Sequence, residues 1–248
     1  TMKNNFFYSK LYFLMSITIL SQSVQSQIGN SGGSQDMTDT RIMDAMTDLK
    51  NRVVRKADTP KDIKGTYYFN KNFQLSDVIY FGEKLENKLF LRYNAANDEI
   101  EMGNSSTQKD AEEILLKSAK VNAIIDGEEY RLLPHRLKET NYPIIGYLVV
   151  LVDHSKYSLF LKRAKVFMKA VEARTSLDRS FPARFVDDIS FYYSSSGDTP
   201  IPLRISKSSI IRMSGENGSK VRSYIKENDI KIKSSEGLIK VFEHLNSL

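Results

Sequence analysis

The chain has 248 residues, 41% of them apolar, with 36 Lys and Arg against 30 Asp and Glu and a net charge of +6. That length allows one large domain or two small ones with a sizeable core, while a mild, dispersed positive charge gives no ground for nucleic-acid binding. The absence of Cys excludes a disulfide framework and a lipid-anchoring cysteine, so stability must come from packing.

Residues 1–26 have the layout of a secretory signal. Lys3 is a positive lead, residues 12–20 (YFLMSITIL) are a short apolar run, and Val24-Gln25-Ser26 is a cleavage context before Gln27. The run is too short to span a bilayer and polar residues follow it at once. Its removal takes Lys3 and Lys10 with it and leaves +4. Residues 27–38, Gly/Ser-rich at the start, read as a flexible linker. From 39 to 54, Ile42, Ala45, Met46, Leu49 and Val53 share one face of an expected helix, capped by Asp39 or Thr40. Two Asn-x-Ser acceptor patterns, at Asn104 and Asn217, read as chance matches.

From Gly65 to Ile205 the period becomes that of strands. Leu89, Leu91 and Tyr93 alternate, 94–98 (NAAND) is turn chemistry, and Ile100 and Met102 resume the alternation, so 88–102 reads as a hairpin. Asp126-Gly127, between 119–125 and 130–133, is the strongest hairpin signal in the chain. The β-branched run 146–152 (GYLVVLV) reads as a strand buried on both faces, turned by 153–156 and answered by Tyr157, Leu159 and Leu161. A last pair, 185–193 and 200–205, flanks the turn 194–198. Segment 110–117 is a short helix or a strand lead-in, and 165–182 a helix or a strand with a long loop. Beyond 205 the period is helical: 207–213, 218–228 with Val221, Tyr224 and Ile225 on one face, and a helix capped by Ser234 or Ser235 carrying Leu238, Ile239, Phe242 and Leu245. The expected fold is mainly β with added α: an antiparallel meander closed as a barrel or folded as a sandwich, an N-terminal helix and short C-terminal helices. The expected division is 39–206 as the helix plus β domain, and 207–248 as a helical segment packed on it.

Particular residues carry a resemblance. Segment 65–102 shows a Gly-x-x-Tyr opening at Gly65 and Tyr68, then Arg92-Tyr93-Asn94 and Asp98-Glu99-Ile100-Glu101. The end shows Lys207, Tyr224-Ile225-Lys226, Leu238-Ile239 and Asn246-Ser247-Leu248. In this order they resemble a group of uncharacterised exported β-rich proteins of Bacteroidetes-type bacteria. The resemblance covers 65–248 and implies an exported compartment and one β-rich architecture, and it implies no activity.

Candidate chemistry is sparse. Of the three His, His135 follows a Pro in an expected loop, His154 lies in a hairpin turn and His244 on the last helix; none has a ligand partner in its own segment. Glu99 and Glu101 share one face of a strand, expected to be the solvent face with Ile100 and Met102 inward, with acid/base chemistry or a hard cation held together with Asp98 and Asn97 as the sharper alternative. Asp187-Asp188 points one carboxylate to each face, so one is expected inward beside Arg184. The aromatic group Tyr67, Tyr68, Phe69, Phe73, Tyr80 and Phe81 reads as sheet and core, with a ligand mouth or sugar platform as the sharper alternative. No catalytic, metal-binding or cofactor-binding residue is assigned and no cofactor is expected. The reading is a non-enzymatic exported binding protein, periplasmic or extracellular and associated in one variant with the outer membrane. Its partner would be an envelope protein or a small apolar ligand, without nucleic acid and without a transmembrane span in the mature chain. An envelope assembly accessory and a hydrolase stand as alternatives.

Overall fold

The structure, a computed structural model, describes residues 63–248 apart from 112, 174 and 176. The expected signal segment, linker and N-terminal helix lie outside the described residues. Eleven strands and three α-helices follow: β1 Gln74–Tyr80, β2 Glu83–Lys84, β3 Leu89–Asn94, β4 Glu99–Gly103, β5 Glu113–Ile114, β6 Val121–Ile125, β7 Glu128–Arg136, β8 Pro143–Val152, β9 Tyr157–Met168, β10 Arg184–Ser195, β11 Ile201–Pro202, α1 Lys207–Met213, α2 Gly218–Glu227 and α3 Ser235–Ser247. All strand pairings are antiparallel, in the order β11-β10-β9-β8-β7-β6-β1-β3-β4-β5, with β2 paired to β1. The protein is thus mainly β, a curled half-barrel with short helices at its C-terminal end. Among the described residues no helix is long and apolar enough to cross a membrane.

The path departs from a simple meander at one strand. β1 sits between β6 and β3, so the first strand becomes a central one. Its sequence, QLSDVIY, hides this: Leu75 is exposed and Ser76 is buried. The β6–β7 hairpin follows its turn chemistry, with Asp126 and Gly127 both at positive φ, +53° and +78°, the geometry that suits a tight hairpin. Segment 110–117 contributes only the short strand β5, and 165–182 is strand and loop rather than helix.

The sheet does not close into a barrel. Its outer strands β5 and β11, two residues each, pair only with β4 and β10, and short edges discourage pairing with other chains. The concave side is filled from the C-terminus instead. Ile210 of α1, Val221 and Ile225 of α2, and Leu238, Val241, Phe242 and Leu245 of α3 join Val78, Leu91, Tyr147, Val149 and Leu159 in one continuous core. Ser234 caps α3 by accepting the Gly237 N–H at 3.1 Å. The Asn246 amide accepts the Tyr157 N–H at 3.0 Å and donates to the Tyr157 carbonyl at 2.9 Å, so the last turn of the helix pairs with β9 as a neighbouring strand would.

Three expectations are corrected. His135 lies in β7, not a loop, and is 1% exposed. Pro134 is tolerated there because its nitrogen faces a side that β6 does not reach: β6 pairs only through Tyr130, and two residues on, the Arg136 N–H turns that way to the Pro200 carbonyl. Glu101 does not face solvent but is 3% exposed, because 68–73 covers the outer face of β4. Neither Asp187 nor Asp188 is inward: their side chains are 54% and 41% exposed and reach Lys165 and Lys138, not Arg184, because both carboxylates sit where water can solvate them.

Candidate functional site

β8 and β9 pair only from Val149 and Leu161 onward, with a bulge between Val150 and Val152. Before that point they part, β8 staying with β7 and β9 with β10. The β3–β4 turn enters this split. Asp98, at φ +55°, places its carboxylate between the two strands. It accepts from the Lys162 ammonium at 2.6 Å, the Tyr93 hydroxyl at 2.5 Å and the Tyr147 N–H at 3.2 Å. Lys162 also donates to the Tyr147 carbonyl at 3.1 Å, and the Lys165 N–H donates to the Ala95 carbonyl at 3.0 Å. The turn therefore supplies the partners that the parted strands lack, as buried backbone groups require. Asp and Asn tolerate left-handed φ better than most residues, which suits Asp98 to the tip.

The groups around Asp98 carry the marks of burial. Desolvation holds the Lys162 ammonium below the ordinary lysine range, against the pull of Asp98. Burial, and then the Asp98 charge, raise the Tyr93 and Tyr147 hydroxyls above the usual phenol range. His135 places Nδ1 3.0 Å from the Leu133 carbonyl, while its Nε2 is buried without a protein partner. Burial lowers its pKa, so it is the neutral ring with the proton on Nδ1. An unfolded chain takes up a proton at His135 below about pH 6.5 that the native chain refuses, so stability is complete above that pH and falls as pH drops toward the lower native value. His135→Gln is expected to reduce the loss of Tm between pH 7.5 and 5.5, read by scanning calorimetry at several pH values; an unchanged slope would refute the assignment.

Gly146 makes the insertion possible. A Cβ built there would strike Asp98 Oδ2 and lie 3.1 Å from His135 Cε1 and 3.2 Å from Lys162 Nζ. Gly146→Ala is expected to cost about 1–3 kcal/mol in urea unfolding, as overpacking does, and to expel Asp98 from the split.

Beside this node lies an open cleft of about 340 Å³, between 69–74, β3, the β6–β7 turn and β9. Tyr93 connects the two, its ring 5.0 Å from Tyr130. Arg163 lines the cleft, doubly bonded to Glu128 and donating to the Tyr130 hydroxyl at 3.0 Å. The Glu128 carboxylate raises its pKa further. Phe69, Asn70 and Asn72 form the opposite lip, with Lys165 Nζ 4.3 Å from the Phe69 ring centroid.

A third cluster closes the cleft at Arg92. Its Nε and Nη2 donate to Glu101 at 3.0 and 2.6 Å, and Nη1 and Nη2 reach the carbonyls of Lys71 and Lys109. Tyr68 and Phe73 sandwich the guanidinium at 3.9 and 4.1 Å. Asn94 and the Tyr68 hydroxyl complete Glu101, at 2.7 and 3.1 Å. Glu101 accepts from four donors, Arg92 Nε and Nη2, Asn94 Nδ2 and the Tyr68 hydroxyl, and is 3% exposed, so its carboxylate serves as the counter-ion of Arg92.

The aromatic group thus divides. Phe73 is core, Tyr68 covers Arg92, Phe69 edges the cleft, and Tyr80 and Phe81 pack on each other at 4.7 Å. His154 is an exposed turn residue whose Nδ1 accepts the Lys156 N–H, and His244 stacks on Tyr224 at 3.9 Å. Among the described residues, no three His, Asp or Glu converge as a metal site. Sequence reading placed Asp98 in a turn or beside a cation with Glu99 and Glu101 and not against Lys162, and it singled out neither Lys162 nor Arg163. The available signal was a charged pair interrupting the apolar alternation of β9. No family model, no curated protein and no solved structure matches the chain.

Proposed function

We propose that this chain is an exported, non-enzymatic binding protein of a bacterial envelope, periplasmic or extracellular, with its ligand in the cleft beside Phe69. The observation that carries the reading is the chemistry of that cleft. Its two arginines are each held by a carboxylate, Arg163 by Glu128 and Arg92 by Glu101. What faces a ligand is the Phe69 edge, the amides of Asn70, Asn72 and Gln74, Tyr93 and Tyr130, and the exposed Asp126 carboxylate at the turn, an apolar body with a few polar groups that suits holding a polar ligand. The concave side of the sheet is filled by helices, which leaves no berth there for a small apolar ligand and favours a polar one such as a glycan. The signal-like first 26 residues and the resemblance to exported β-rich proteins support the compartment. The alternative of an envelope assembly accessory draws on the exposed β9–β10 ribbon described next.

Calorimetric titration with soluble envelope glycans tests the reading. At least one is expected to bind, and Phe69→Ala is expected to weaken it about tenfold, or roughly 1.4 kcal/mol. Turnover of a bound glycan that disappears in Asp98→Asn or Lys162→Met would replace this reading with the hydrolase.

A further inference from the structure

β9 and β10 pair without interruption from Tyr157 and Ser195 to Met168 and Arg184. Their neighbours in the sheet stop far earlier, β8 at Leu161 and β11 at Tyr192, and the last lateral contact is a bridge from Lys64 to Arg184, with Lys64 bonded to Ala183 and Phe185 and Tyr67 on the Phe185 ring at 4.6 Å. The remainder is a two-stranded ribbon that leaves the body, and every described residue from 166 to 182 is exposed. Six of them are large and apolar: Val166, Phe167, Met168, Val171, Phe181 and Leu177, the last 93% exposed. Exposed apolar surface on this scale marks a contact surface.

We propose that this ribbon docks on an anionic lipid surface. Three observations select lipid over a protein groove. First, apolar side chains are exposed on both faces of the ribbon, since Val166 and Met168 alternate with Phe167; a groove covers one face, whereas the acyl boundary surrounds the tip. Second, segment 166–184 carries four basic residues, Lys169, Arg174, Arg179 and Arg184, against two acidic ones, Glu172 and Asp178, and this positive balance complements lipid phosphates. Third, the ribbon pairs its backbone once more beyond the regular ladder: Val171 and Phe181 exchange both N–H···O bonds at 2.8 Å. A segment entering the interface needs that, because unpaired backbone groups there are costly. Amphipathic elements bind by combining apolar burial with attraction to anionic headgroups.

The chain has no Trp, so Leu177→Trp installs a unique fluorescent reporter at a fully solvated position. Vesicles of phosphatidylglycerol and phosphatidylethanolamine are expected to shift its emission to the blue and to carry the full chain down on sedimentation. Pure phosphatidylcholine vesicles are expected to bind at least tenfold more weakly. Val171→Asp with Phe181→Asp, checked for native circular dichroism, is expected to abolish sedimentation, and Phe69→Ala to leave it intact, which keeps this result separate from the cleft. Absence of binding to the anionic vesicles overturns the proposal. So does unchanged binding by the double Asp variant, which would reduce the contact to charge alone. A reporter already blue-shifted without lipid also overturns it, because the ribbon would then be covered by protein, from this chain or from a second copy.

Discussion

Glu101→Ala is expected to lower the free energy of unfolding by about 3–5 kcal/mol, the loss that follows when one member of a buried ion pair is removed and the other stays behind. The mechanism is specific to this site. Arg92 is 3% exposed and would retain two backbone carbonyls and the Tyr68 oxygen, but no anion. The Asn94 amide would lose its 2.7 Å acceptor as well. The neighbouring Glu99→Gln, two residues away on the same strand, is expected to change stability by about 1 kcal/mol or less, as partly exposed charges do. The double variant Arg92→Met with Glu101→Leu is expected to recover most of the loss, since apolar replacement of a whole buried pair is often close to neutral. Urea unfolding of the two singles and the double completes a cycle in which the coupling is read directly. A Glu101→Ala loss no larger than that of Glu99→Gln would show that the carboxylate is wet and the cage open.

Why Glu101 escaped sequence reading is instructive. Glu-Ile-Glu-Met alternates as a half-solvated strand should, and Ile100 and Met102 do point inward. What dries the other face is Arg92 directly across the hairpin, roofed by Tyr68 and Phe73 from another segment. No local pattern encodes a roof. The same limit applies at Asp98, whose turn chemistry was readable but whose partners Lys162 and Tyr147 lie 64 and 49 residues away. It applies at Asp187 and Asp188 too, where alternation implies one inward carboxylate and both reach solvent, at 54% and 41% exposure. Legible features were those whose cause is local: the hairpin at Asp126-Gly127, the 88–102 hairpin, and the Ser234 cap. The split between β8 and β9, which creates the node, leaves only faint marks in the strands, Gly146 in β8 and the Lys162-Arg163 pair in β9.

Phe242→Ala is the second large effect, expected at about 3–5 kcal/mol, as for a fully buried aromatic whose cavity cannot collapse. Phe242 is 0% exposed and lies on the face of α3 that carries Leu238, Val241 and Leu245. A helix of 13 residues is marginal alone in water, so its order depends on this face. It packs on α2, β8 and β9, and without it the half-barrel would present Tyr147, Val149, Leu159 and Leu161 on a less covered concave surface. A closed barrel would bury those residues by its own curvature. An open one cannot, and α3 stands in for the missing wall. For a chain of this size, a loss of that magnitude lowers Tm by roughly 10 °C, measurable by calorimetry. Asn246→Ala, which removes the two bonds to Tyr157, is expected to cost about 1–2 kcal/mol. Tm values for both variants within a degree of the parent would mean that α3 does not wall the core and that its apolar face is kept for another protein, the arrangement expected of an assembly accessory. The two variants bracket the helix from its packed face and its hydrogen-bonded end, so a large Phe242 effect with a smaller Asn246 effect identifies burial as the main force closing the sheet.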